Sequence, residues 1–246
     1  MRRARTALLA CALGLFAREA SAVRPFVTDD ARVVGKGHVQ LETWWRRDPD
    51  GMQHWMFGAV GPNDRMELSL GMVHGVNHEK IHPTYSVSGP FAQMKLLVFE
   101  SRANRWPGVA TVFGVITPWG SGGFEPPGWT GYAYVALTES LFDRDRVLVH
   151  LNFGWAGTSL RPVQFSWGAA TELRVWGPIH AIGEVYSGDP YISGISGASQ
   201  FGVRFAFNDH LQLDVTGGVG LFADRREDVM PPFFGTGVRL VSHELW

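Results

Sequence analysis

The sequence is poor in cysteine, with one in 246 residues, and poor in charge, with only 18% Asp, Glu, Lys and Arg. The single thiol, Cys11, excludes a disulfide framework and a thiolate metal centre. Sparse charge combined with 30 glycines excludes a disordered chain and argues against a helical bundle. A formal net charge of -1 leaves no basic footprint for nucleic acid. Beyond the N-terminus no apolar run approaches the roughly 18 residues of a membrane helix, and no stretch carries a 3.6-residue period. Phosphate-binding glycine motifs are missing, and Gly120-Ser121-Gly122 follows a proline-tryptophan turn where a nucleophile elbow would need a strand and a helix.

What is present begins with an export signal. Met1 to Arg5 carries three arginines, Thr6 to Phe16 is apolar and uncharged, and Ala20-Ser21-Ala22 is a small-residue cleavage site, so residues 1–22 read as a secretory signal peptide. Cys11 leaves with it. Leu8-Leu9-Ala10-Cys11 has the shape of a lipoprotein box, but the apolar core before it is too short for that reading.

From Gly37 onward, segments of about ten residues alternate apolar and polar side chains between Gly, Pro, Asn and Asp clusters, which is strand periodicity. Twelve such segments are expected, over 38–46, 52–60, 65–74, 91–99, 108–117, 130–141, 146–155, 164–175, 179–187, 198–207, 210–221 and 233–246. Connectors after the even segments are short, as in Gly61-Pro62-Asn63-Asp64 and Asn208-Asp209. Those after segments 3, 5, 9 and 11 are long, as in Gly75 to Pro90 and Pro118 to Trp129. Short turns at one end and long loops at the other describe an all-β fold: a single antiparallel transmembrane β-barrel of twelve strands. Both termini are then expected to be periplasmic, with residues 23–36 a periplasmic lead-in and 37–246 the barrel.

A soluble sandwich would alternate too, but it would concentrate aromatics mid-strand. Here they gather near strand ends: Phe99, Trp106, Phe142, Trp176, Phe207 and Trp246 at the short-turn side, and Trp45, Trp55, Trp119, Trp129, Tyr132, Trp155, Phe165, Tyr186, Phe222, Phe233 and Phe234 at the other. Two interfacial belts are expected from this. Trp246 closes the last alternating segment like an outer-membrane assembly signal, which makes the barrel assembly machinery an expected partner alongside outer-membrane lipid. Glu244 falls on the lipid parity near its interface.

The opposite parity places Glu42, Arg46, Arg65, Glu67, Lys95, Glu139, Glu172, Arg174, Glu184, Arg204, Asp214 and Arg239 inward, six acids and six bases, suited to cross-strand pairs bracing a modest lumen. Such pairs could equally do no more than hold the barrel together. The loop carrying Trp119, Phe124 and Trp129 is placed to fold into the mouth as a constriction or to rest at the interface. His74, His78 and His82 recur every four residues; a metal site would need a helix there, and Pro83 with the strand pattern favours an ordinary polar loop. No cofactor and no resident metal are expected. Lipid hydrolysis would need an outward histidine beside a serine; His150 and His180 point inward by parity, and Ser242 with His243 lies at the short-turn end.

Arg24-Pro25-Phe26-Val27-Thr28-Asp29-Asp30-Ala31, followed by Gly35 or Gly37 and then Gln40-Leu41-Glu42, resembles the opening of the outer-membrane transporter family named for the MetA pathway of phenol degradation. That resemblance implies an outer-membrane barrel of a Gram-negative bacterium that passes small, often aromatic or hydrophobic, compounds; it brings no catalytic residues. Read from the residues, Thr28-Asp29-Asp30 sits at the periplasmic mouth or tucks into the lumen, where its carboxylates would bind a cation, cap inner bases or stay solvated. The expected function is passive passage of small solutes. A closed structural or receptor-type barrel is the alternative, and an outer-membrane lipid hydrolase a remote one.

Overall fold

Alternation becomes wall wherever both neighbours of a strand are also strands, because every backbone N–H and C=O then finds a partner without water. The computed structural model describes residues 27–78, 84–124, 126, 128–142, 145–159, 161–188, 196–223, 226 and 229–246. Twelve long antiparallel strands follow one another around the barrel: β1 (Val39–Asp48), β2 (Gly51–Asn63), β3 (Met66–Asn77), β4 (Thr84–Phe99), β5 (Gly108–Ile116), β7 (Thr130–Leu141), β8 (Val147–Thr158), β9 (Arg161–Trp176), β10 (Ile179–Ser187), β11 (Ser196–Asn208), β12 (Leu211–Ala223) and β13 (Phe233–Val241). The thirteenth, β6 (Gly120–Ser121), is a two-residue strand on the rim of β4. Pairing of β1 with β13 closes the barrel and leaves no free edge.

The short turns expected at one end are there, with two residues between β2 and β3, β9 and β10, and β11 and β12. At the other end β1–β2 and β8–β9 are also tight hairpins, while β3–β4, β5–β7, β10–β11 and β12–β13 carry the longer connections. Outward rows such as Leu68, Leu70 and Met72, or Val215, Val219 and Leu221, are exposed along the wall, as a lipid-facing surface requires.

Three expectations change. Segment 91–99 is longer: β4 starts at Thr84 and runs through Gly89-Pro90, so the expected 75–90 loop shrinks to 78–83. A register shift opposite Gly71 and Val73 absorbs the proline, so Ser86 and Ser88 face inward before the shift and Phe91 and Lys95 after it. The closing strand ends at Val241; Ser242 and Leu245 still donate to the carbonyls of Val39 and Gly37, but Trp246 lies outside the ladder. Finally, Trp55, Tyr132, Tyr186 and Phe233 do not join the outer belt. Each shares the inward parity of its strand, and Tyr132, Tyr186 and Phe233 are buried. Segments in which large side chains occupy both parities, such as Trp44-Trp45 and Trp55-Met56, hide which face is which.

Candidate functional site

The lumen is the site, and its two halves differ. On one side, inward residues of β1 to β5 and β7 build an aromatic ladder near the long-loop end. Trp44 stacks on Trp55 with ring centroids 5.5 Å apart and planes 5° from parallel, Trp55 meets Phe91 at 5.7 Å, and Phe57 meets Phe91 at 6.1 Å. Tyr132 and Tyr134 stack beside them at 6.2 Å.

Elsewhere in the lumen, charges stand in cross-strand register. Glu42 stands opposite Arg239, Glu67 opposite Lys95, and Arg204 opposite Asp214. Arg204 is the hub: its Nε donates to Asp214 Oδ1 at 2.8 Å and its Nη1 to Glu172, whose other oxygen lies 2.5 Å from His180 Nδ1. Gln212 donates to Asp214, and Arg239 donates to Gln40, which in turn donates to Glu42. These side chains are all buried; Arg204 is ion-paired with Glu172 and Asp214, and Arg239 lies 3.8 Å from Glu42.

The remaining members of the expected set are placed less deeply. Arg46 points inward and lies over the Phe233 ring at 4.2 Å, with Asp48 at 3.7 Å, and Arg174 is half-buried near the short-turn end. Two differ from expectation. Arg65 is exposed in the turn between β2 and β3, because Asn63 Oδ1 captures its backbone N–H and ends the strand there. Glu139 lies on the outward parity of β7, between the inward, buried Thr138 and Ser140.

The largest occupant of the lumen is the chain's own lead-in. Thr28, Asp29, Asp30 and Ala31 are buried inside the barrel. Lys95 Nζ, 1% exposed, donates to Asp29 Oδ1 at 2.7 Å and to the Arg32 carbonyl, with Asp30 at 3.6 Å. Tyr134 donates its hydroxyl to Asp29, and Asn152, with its amide turned to suit its neighbours, brackets the Asp29 peptide on both N–H and C=O. Glu184 accepts from the N–H groups of Val27 and Thr28, and also from Gln200. The expected carboxylate pair thus caps an inner base. Glycines make the room: a Cβ on Gly168 would stand 2.1 Å from Thr28 Oγ1, and one on Gly61 would stand 1.8 Å from the Gly35 carbonyl oxygen.

Among the described residues, two recesses flank the lead-in and meet at Gln93. The upper, about 470 Å³ counting the solvent it opens to, is walled by Tyr132, Tyr134, Tyr186 and Thr28; the lower, about 330 Å³ on the same measure, by Glu42, Glu67, Lys95 and Asp29. The rim loop contributes unevenly. Phe124 packs onto the aromatic ladder, held by Gly123 donating to Ser86, while Trp119 and Trp129 are exposed and pack edge-on to each other at 6.3 Å.

The histidine row resolves differently from its spacing. His74 lies within β3 on the outer face, His78 ends beside it exposed, and His82 lies outside the described residues. His74's partner is cross-strand: His54 Nδ1 is 2.9 Å from His74 Nε2, and His54 Nε2 is 2.5 Å from Thr43 Oγ1, with Trp45 stacked on His54. The hydroxyl is a threonine's, in a strand paired on both sides, so β1 aims no spare backbone donors at an oxyanion. Among the described residues no cluster of three His, Cys, Asp or Glu side chains has metal-holding geometry.

The chain matches a family of sequences over residues 10–239. It belongs to the family described as uncharacterised conserved protein UCP029691. That family carries no functional description, the phenol-pathway likeness stays a resemblance of the opening residues, and no curated protein matches. In fold, the chain is similar to the COG4313 outer membrane channel of Pseudomonas putida F1, with TM-score 0.58 and 13% identity over 89% of this chain and 99% of that one. It is similar to the KdgM porin, with TM-score 0.59 and 10% identity over 83% and 99%. The NanC porin aligns with TM-score 0.56 and 8% identity over 82% and 98%. At such identities the shared property is the fold of an outer-membrane barrel.

Proposed function

We propose that the protein is a channel of the bacterial outer membrane, passing small solutes passively through a narrow lumen that its own lead-in partly closes. The observation that carries this is the lumen itself: two recesses, one aromatic and one charged, meet beside a segment continuous with β1 and seated in the lumen by hydrogen bonds and ion pairs. Balanced pairs such as Glu42–Arg239 and Arg204–Asp214 give little preference for ion sign, and the aromatic side suits small aromatic or hydrophobic solutes. Export by the signal peptide and insertion by the barrel assembly machinery belong to the same reading, as do a lumen lined by the buried charges and catalysis by none of them.

The second reading, a closed structural or receptor-type barrel, draws on the same lead-in, since a segment this well bonded could be a permanent plug. Swelling of liposomes holding the mature chain separates the two. The channel reading expects entry of pentose-sized sugars and exclusion of trisaccharides; no entry of any solute at any pH favours the closed barrel.

A further inference from the structure

We infer that the outer face of β2 and β3 carries a copper site, with His54 Nδ1 and His74 Nε2 as its fixed ligands and the thioethers of the neighbouring Met52, Met56 and Met72 as its soft ones. The site lies on the opposite face of the wall from the lumen and does not depend on solute passage.

The strand period gathers these side chains. In β2 the even residues face outward, so Met52, His54 and Met56 form one row, and Met72 and His74 do the same in β3. Antiparallel register then sets His54 directly opposite His74 and Met56 directly opposite Met72, with Met52 one outward position closer to the β1–β2 hairpin. Opposed residues on one face have Cβ atoms about 4.5–5.5 Å apart and diagonal ones roughly 7–8 Å. Methionine side chains, long and freely rotating, span that gap to the imidazole pair.

The imidazoles already have ligand geometry. Their facing nitrogens are 2.9 Å apart. With metal–nitrogen bonds of about 2.0–2.1 Å, that separation subtends roughly 90° at a shared ion, the angle between adjacent ligands. The far nitrogen of His54, Nε2, lies 2.5 Å from Thr43 Oγ1, and Trp45 stacks on the same ring with centroids 3.9 Å apart and planes 7° from parallel. A metal-binding histidine is oriented in this way, by an N–H donated to an oxygen from its second ring nitrogen, and His54 is then left with its Nδ1 lone pair turned to His74. The ion takes the place of the proton that the two nitrogens share.

The donor set selects the ion. Imidazole suits copper, zinc and nickel alike, whereas thioether sulfur is soft and selects Cu+. Calcium or magnesium would need carboxylates, and Glu42, Asp48 and Glu67 of these strands all stand on the inward parity. A hydrogen-bonded brace between strands would need the histidines alone; the sulfurs in register beside them complete a copper shell.

The test is anaerobic titration of the refolded mature chain in detergent with Cu+ held by a chromogenic chelator. Cys11 leaves with the signal peptide, so no thiolate competes. The expected result is one equivalent of copper withdrawn from the chelator, with affinity at least tenfold weaker in His54→Gln, in His74→Gln and in Met56→Leu combined with Met72→Leu. His243→Gln, whose ring packs on His210 near the short-turn end, should bind copper like the wild type. X-ray absorption of the copper-loaded wild type should show imidazole and sulfur scattering together, a readout that needs no variant to fold. A wild type that withdraws no copper, or folded histidine variants that bind it equally well, overturns the inference. Copper bound without sulfur in its shell, or folded methionine variants of unchanged affinity, overturns the assignment to Cu+.

Discussion

Arg204 stands between two buried carboxylates, Glu172 and Asp214, as Lys95 stands between Asp29 and Asp30. Removing one member of a buried ion pair typically costs about 3–5 kcal/mol, since the partner stays buried and unpaired. Arg204→Met should accordingly lower the urea midpoint of the refolded barrel clearly, whereas Arg65→Met, in an exposed turn, should leave it within error.

At the scale of elements, the alternation in β3, β8, β9 and β12 and the Asn-Asp turns were legible because each depends on neighbouring residues only. β4 was not, since Pro90 reads as a breaker until a register shift in its partner is visible. The lead-in shows the same divide. Its carboxylate pair was visible in Asp29-Asp30, but its partners Lys95, Tyr134 and Glu184 lie 66 to 156 residues away in the chain. The histidine row misled for a related reason, because spacing along one strand says nothing about His54 on the next. The rim loop yields its own prediction. Phe124 covers the aromatic ladder, so deleting 120–128 should increase single-channel conductance about twofold or more, while Trp119→Ala, at an exposed site, should leave it unchanged.

For the whole molecule, two surfaces made by one alternation do separate jobs: an outer face for lipid and an inner face that binds a segment of the same chain. The central claim is that this segment is what closes the passage. Planar-bilayer recording of the refolded mature chain beside Gly168→Val tests it most directly, because the valine occupies the space of Thr28 while leaving the outer face of β9 untouched. The account predicts brief, small steps in the wild type and larger, longer openings in Gly168→Val. A folded Gly168→Val barrel as silent as the wild type would contradict it.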